Sequence, residues 1–181
     1  MKFTIEHMNK SYKELLPQIT TFIFDVDGVF TDGVVLVMPG GQFVRRMNSK
    51  DSYAVQYAVK KEYRLVVITG GNSVDVKAGL EGLGVKDVFL SSHNKEKVYD
   101  QYLSDHNLNP QEVLYMGDDI PDFKVLEKSG VATCPADAAE EVKKICDYVS
   151  VKKGGQGCVR DVIEQTLKVQ GKWFDEDALD W

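Results

Sequence analysis

The sequence predicts an α/β protein: a parallel sheet covered by helices on both faces, with a β-hairpin inserted early in the chain. Two observations predict it. Short apolar runs of strand length recur along the chain, and the segments between them carry apolar residues at helical spacing. The runs are unbroken rather than alternating, the pattern of strands buried on both faces. The 181 residues suit a single domain over 1–181, since a chain of this size buries roughly 70% of its unfolded surface.

After a polar start, Thr20-Thr21-Phe22-Ile23-Phe24-Asp25 reads as a buried strand ending in an acid. Val34 to Met38 and Gln42 to Met47 flank Pro39-Gly40-Gly41 and read as a hairpin. Asp51 or Ser52 caps a helix with Ala54, Val55, Ala58 and Val59 on one face. Arg64 to Thr69 is the next buried strand, closed by Gly70-Gly71, and Ser73 caps the helix after it. Val85 to Leu90 is a weaker strand. A helix near Lys95 to His106 carries Val98, Tyr99, Tyr102 and Leu103. Glu112 to Met116 is a strand that ends at Gly117-Asp118-Asp119. Pro121 fits a first helical turn, with Phe123 and Leu126 facing inward. Val131 to Cys134 is a short strand, and Pro135 opens a helix through Ile145. Tyr148 to Val151 is a last strand and Val159 to Leu167 a last helix. The acidic tail from Lys172 to Trp181 is either loose or docked on another subunit.

Composition excludes several function classes. The formal charge of −6 argues against a nucleic-acid partner. No apolar run approaches the ~20 residues that span a bilayer, and MKFTIEHMNK lacks a signal-peptide core. Cys134, Cys146 and Cys158 cannot all pair and lack metal-ligand spacing, so a reduced, cytoplasmic setting is expected. His7, His93 and His106 also lack ligand spacing. Arg45, Arg46, Lys152 and Lys153 read as solvated charges that can steer anions.

The polar residues gather at strand ends. In open parallel sheets, ligands bind at the carboxyl ends of the strands. Asp25-Val26-Asp27-Gly28, Thr69-Gly70 and Gly117-Asp118-Asp119 with Asp122 all close predicted strands, and Lys95 opens a helix between the last two. A shared rim of carboxylates needs a hard cation, and Mg²⁺ suits oxygen ligands completed by a substrate phosphate. Asp25 is then placed to attack phosphorus and form an aspartyl phosphate. Asp27 can protonate the leaving oxygen and later take a proton from water. Thr69, Gly70 and Lys95 can hold the transferring phosphoryl group. Asp118 holds the metal, and Asp119 and Asp122 support it. Singly, each feature reads equally well as a turn, a cap or a surface charge; their order and placement together point to one site.

These motifs resemble the four motifs of the haloacid dehalogenase superfamily of phosphohydrolases. The resemblance implies a Rossmann-like sheet, magnesium and the aspartyl-phosphate mechanism. It implies Asp25 as nucleophile and metal ligand, Asp27 as acid/base with its carbonyl on the metal, Asp118 as metal carboxylate, and Thr69 and Lys95 as phosphate ligands. The intervals from Asp27 to Thr69 and from Thr69 to Lys95 leave no room for the cap domain that many members insert there. A neighbouring subunit is expected to wall the uncapped site.

Over residues 18–172 the chain is similar to the phosphatases of 3-deoxy-D-manno-octulosonate 8-phosphate (KDO 8-phosphate), which serve lipopolysaccharide synthesis. The matching stretches are Phe24-Asp25-Val26-Asp27-Gly28-Val29-Phe30-Thr31-Asp32-Gly33, the hairpin, Asn48-x-x-Asp51 and Gly154-Gly155-Gln156-Gly157-Cys158-Val159-Arg160-Asp161. That family implies a capless homotetramer, with hairpins and C-terminal tails closing neighbouring sites. It implies sugar-acid contacts at Asn48, Ser49, Lys50, Asp51, Ser52 and Gln56. Gly154, Gly155 and Gly157 let backbone N–H groups turn toward an anion, and Arg160 can grip a carboxylate with two parallel hydrogen bonds. Gly71 and Gly79 stand where that family usually carries arginines. A related family acting on the nine-carbon KDN 9-phosphate carries Glu at the position of Gly71, and its Asp-Ser matches Asp51-Ser52. A phosphoacceptor receiver module is the reading from another class, but receivers place their acidic pair before the acceptor aspartate.

Overall fold

The computed structural model describes residues 11–180. His7, the polar start and Trp181 lie outside them. After a short helix, Tyr12–Leu15 (α1), the chain runs β1 (Thr21–Phe24), β2 (Leu36–Val37), β3 (Phe43–Val44), α2 (Ser49–Lys60), β4 (Arg64–Ile68) and α3 (Val74–Gly82). It continues β5 (Asp87–Phe89), α4 (Lys95–Asp105), β6 (Val113–Met116), α5 (Phe123–Lys128), β7 (Val131–Cys134), α6 (Glu140–Lys143), β8 (Tyr148–Val149) and α7 (Cys158–Val169).

Six strands form one sheet in the order β5-β4-β1-β6-β7-β8, every pair parallel. The fold is Rossmann-like, and among the described residues there is no cap domain. The strands are buried because consecutive side chains enter different cores. Phe22 and Phe24 join Leu65, Val67, Leu114 and Met116 under α2, α3 and α7. Ile23 joins Val66, Ile68, Tyr115 and Ala132 under α4, α5 and α6. From β1 the chain builds outward to β4 and β5, then crosses by α4 to β6 on the other side. That reversal opens a crevice at the carboxyl ends of β1, β4 and β6.

Four predicted details change. Asn48, not Asp51 or Ser52, caps α2, accepting from Lys50 N at 2.9 Å. Pro135 does not open a helix: Ala136 N donates to Lys152 O and Ala139 N to Asp118 O, so the first turn is drawn apart and α6 begins at Glu140. Phe123 is only half-buried, and Val125 is the residue packed beside Leu126. The hairpin is shorter than its two apolar runs. Its strands pair antiparallel through Leu36 with Val44 and Val37 with Phe43, and all four side chains are exposed.

The tail docks on its own chain. Tyr53 OH donates to Ala178 O at 2.6 Å, and Tyr57 OH to Asp175 Oδ1 at 2.8 Å. Lys61 Nζ lies 2.6 Å from carboxylates of both Asp175 and Asp177. Trp173 sets its ring edge-on to Tyr57, with centroids 5.2 Å apart.

Candidate active site

The crevice is an open cleft of about 450 Å³ lined by Asp25, Asp27, Gly28, Thr69, Gly70, Gly71, Ser92, His93, Lys95, Asp118, Asp119 and Asp122, among others. The four predicted motifs therefore meet in one place. Asp25 continues β1 and stays in register, its N–H donating to Met116 O at 3.0 Å. Lys95 opens α4 behind its cap Asn94, and its buried ammonium reaches Asp25 Oδ2 and Asp122 Oδ1, each at 2.7 Å. Thr69 is buried at the end of β4, its hydroxyl accepting from Gly71 N at 3.1 Å. Gly70 is exposed beside it.

Asp122 is fully buried and all its acceptor positions face donors. Oδ1 takes Lys95 Nζ and Tyr115 OH, the latter at 2.5 Å; Oδ2 faces Asp118 N at 3.2 Å and Asp119 N at 3.4 Å. It is a strut that fixes the lysine and the acidic loop together. Gly117 leaves the room it needs: a Cβ there would lie 2.3 Å from Asp122 Cγ. Asp119 is exposed at the edge of the cleft.

Asp25 Oδ1 is buried without a hydrogen-bond partner. Carboxylate oxygens of Asp25, Asp118 and Asp122 lie within 4.8 Å of one another. Burial, then Asp122, pushes the Asp25 carboxyl up to about 6 against the pull of Lys95. Burial, then Asp25 and Asp122, pushes Asp118 up to about 7. An orphaned oxygen among crowded carboxylates is the setting a divalent cation relieves, and an all-oxygen donor set fits a hard ion. With Asp122 held by its four donors, Asp25 and Asp118 are the carboxylates free to bind it. Gly28 shapes this cradle: at φ +83°, its missing Cβ would fall 1.9 Å from Asp118 Oδ2.

Asp27 stands apart from this cluster. Arg45, just past β3, clamps it with Nε to Oδ1 at 2.6 Å and Nη2 to Oδ2 at 3.0 Å. Arg45 was expected to be solvated, yet its side chain is only 13% exposed. Nothing in the local sequence separates it from Arg46, which is 85% exposed and pairs with Asp32. The hairpin decides which arginine faces the cleft.

The residues expected to meet the sugar acid do not line the cleft of this chain. Asn48 caps α2, and its amide donates to Gly155 O at 3.3 Å. Ser49 and Lys50 are exposed, while Ser52 and Gln56 are half-buried along α2. Asp51 is buried and caps α7, accepting from Gly157 N at 3.1 Å and Arg160 N at 2.7 Å. The glycine turn does meet anions, but they are the chain's own: Gly154 N donates to Asp137 Oδ1 at 2.9 Å and Gly157 N to Asp51. Gly154 also packs on the Asp25 loop, where a Cβ would lie 2.0 Å from Gly28 O. Arg160 lies against Tyr53 and Trp173 and pairs with Glu164 at 3.0 Å.

A family model described as haloacid dehalogenase-like hydrolase matches residues 85–163. The chain is 32% identical over 154 residues, 85% of its length and 82% of the relative's, to 3-deoxy-D-manno-octulosonate 8-phosphate phosphatase KdsC of Escherichia coli K12. A crystal structure of the Moraxella catarrhalis 3-deoxy-D-manno-octulosonate 8-phosphate phosphatase, in complex with magnesium ion, phosphate ion and KDO, superposes with a TM-score of 0.87 at 26% identity, covering 93% of this chain and 95% of that one. The cobalt-bound Haemophilus influenzae enzyme of the same activity superposes with a TM-score of 0.85 at 26% identity, covering 91% and 98%.

Proposed function

The chain belongs to the 3-deoxy-D-manno-octulosonate 8-phosphate phosphatase family of haloacid dehalogenase-like hydrolases and is a phosphatase; from that premise we propose that it hydrolyses KDO 8-phosphate to KDO and phosphate through an aspartyl-phosphate intermediate, with magnesium as cofactor. One observation carries the reading: the buried Asp25 carboxylate, with one oxygen on Lys95 and the other unpartnered, sits at the carboxyl end of the central strand among the groups phosphoryl transfer needs.

Asp25 and Asp118, with the Asp27 carbonyl, would hold the magnesium ion. The ion would supply charge neutralisation for the crowded carboxylates and the incoming phosphate. The Thr69 hydroxyl, the Gly70 N–H and the Lys95 ammonium orient the phosphoryl group and balance its charge. The Asp25 carboxylate forms a bond to phosphorus as the bond to the sugar oxygen breaks, and Asp27 gives that oxygen its proton. In the second half, Asp27 takes a proton from water, the water oxygen displaces Asp25 from phosphorus, and inorganic phosphate leaves. Asp122 keeps Lys95 aimed at Asp25 throughout. The reading includes a homotetramer, in which the cleft, open on one side, is walled by the hairpin or tail of a neighbour.

A phosphate-release assay with Mg²⁺ tests this on KDO 8-phosphate, KDN 9-phosphate and simple sugar phosphates. KDO 8-phosphate is expected to be the best substrate; preference for KDN 9-phosphate would move the assignment to the sialic-acid-type sugars, a shift that Asp51-Ser52, matching the Asp-Ser of the KDN 9-phosphate family, would favour. Asp25→Asn is expected to abolish turnover, because an amide cannot attack phosphorus. Turnover above about one-thousandth of wild type would remove the covalent role.

A further inference from the structure

Granted the phosphatase reading of the cleft, on which this rests, we propose that Arg45 is a specificity-determining positioning residue. In the free enzyme it parks the acid/base Asp27, and a carboxylate on the substrate draws it away and releases Asp27. The chain would then act fast only on a phosphate ester that also carries a carboxylate.

The clamp is bidentate. Arg45 Nε and Nη2 approach both oxygens of Asp27, at 2.6 Å and 3.0 Å. An acid/base must offer an oxygen to the leaving group and then to water. Here a guanidinium competes for both oxygens. The same planar fork fits any carboxylate, so exchanging Asp27 for a substrate carboxylate keeps one ion pair while freeing the other acid.

Arg45 is placed for that exchange. It stands at the rim, where a Cβ on Gly71 would lie 3.9 Å from its Nη2 and 3.6 Å from Asp27 Oδ2. Gly71 carries no side chain to fill the space beside the arginine or to partner it. Charge argues the same way. Five carboxylates line the cleft, those of Asp25, Asp27, Asp118, Asp119 and Asp122. Among the lysines and arginines of the described residues, Lys95 alone lines it, and its ammonium is held by Asp25 and Asp122. A second anionic group on the substrate finds no unengaged lysine or arginine among the described residues lining the cleft, and Arg45, bound to the cleft's Asp27, brings a guanidinium to its rim. Arg160, the other arginine expected to grip a carboxylate, is held by Glu164 and two aromatic rings. The Arg45 side chain is itself only 13% exposed, but it follows a hairpin whose strand residues are all exposed, so the segment that carries it is weakly anchored.

The test compares kcat and KM of wild type, Arg45→Gln, Arg45→Lys and Arg46→Gln on two esters with Mg²⁺: KDO 8-phosphate, and glucose 6-phosphate, which has no carboxylate. For Arg45→Gln, kcat/KM for KDO 8-phosphate is expected to fall about tenfold or more, the loss of a charge-assisted contact. Its kcat for glucose 6-phosphate is expected to rise, because Asp27 is no longer parked. Arg45→Lys, which keeps the charge but not the fork, should fall between, and Arg46→Gln should keep the wild-type ratio. A proportional loss on both esters would reduce Arg45 to a fixed support of Asp27 and overturn the proposal. So would an unchanged ratio, or a wild type that hydrolyses both esters equally well. A wild type that hydrolyses neither would overturn the phosphatase reading as well.

Discussion

Asp25 and Asp118 carry the sharpest conflict in the molecule, and it has a measurable sign. Their folded carboxyl groups are held up to about 6 and about 7, Asp25 by burial and the charge of Asp122, Asp118 by burial and the charges of Asp25 and Asp122, against about 3.9 for an unfolded aspartate. Between about 4 and 7 the folded state therefore binds more protons than the unfolded one, and its stability falls as pH rises. The half-buried Asp32 and the exposed Asp175, lowered by Arg46 and Lys61 respectively, act in the opposite sense but below that window. In chelator, the melting temperature should fall from pH 5 to pH 7.5, and Mg²⁺ should flatten the slope. Asp118→Asn should raise the metal-free melting temperature at pH 7.5 and abolish the response to Mg²⁺. A metal-free profile rising over that range would contradict the crowding described. These residues were legible in the sequence because each closes an apolar strand, and parallel strands bring their ends together. Arg45 was not, since its contact with Asp27 depends on the path of the hairpin, and Arg46 beside it is chemically identical.

At the scale of elements, the junction of α2 with α7 depends on one carboxylate. Asp51 lies in the first turn of α2 but caps α7, whose N-terminus it reaches across 106 residues of sequence. Replacing it with Ala leaves two N–H groups without their acceptor and should lower unfolding stability by about 1–3 kcal/mol. Asp51→Asn should recover part of that, because an amide oxygen still accepts. Urea denaturation followed by circular dichroism measures both. A cap offered to a distant helix cannot be read locally, and this is why Asp51 looked like the start of its own. The helix expected from Pro135 failed for a related reason. Its first N–H groups are claimed by the acidic loop and by the stretch after β8, contacts that no local propensity encodes. The strands fared better: a three-residue apolar run such as Phe22 to Phe24 has few alternatives when both its faces must be buried.

The whole molecule leaves one surface unaccounted for. Val34, Leu36, Val37 and Phe43 are each more than half exposed, on a two-stranded ribbon that a monomer barely supports. Burying them against further copies is the simplest way to stabilise the ribbon, and it would bring another wall to the open cleft. Sedimentation should show an assembly larger than a monomer. Val37→Ser with Phe43→Ser should dissociate it and lower turnover, while far-ultraviolet circular dichroism stays unchanged. A wild-type monomer with full activity would sink that expectation. The tail enters differently from what its composition suggested, since Trp173 and Asp175 seat on α2 of the same chain. A truncation meant to probe the tail has to begin after Gly171, because α7 buries Cys158, Val159, Val162, Ile163 and Leu167 in the core.

The parallel sheet has a further consequence. With every pair of strands running the same way, acids and phosphate ligands crowd one rim, and the opposite rim, where Thr20, Arg64 and Glu112 exchange backbone hydrogen bonds, carries none of the chemistry. The two ends of the barrel-less slab can evolve or be engineered almost independently: hardiness can be raised at the quiet end without retuning the reactive one.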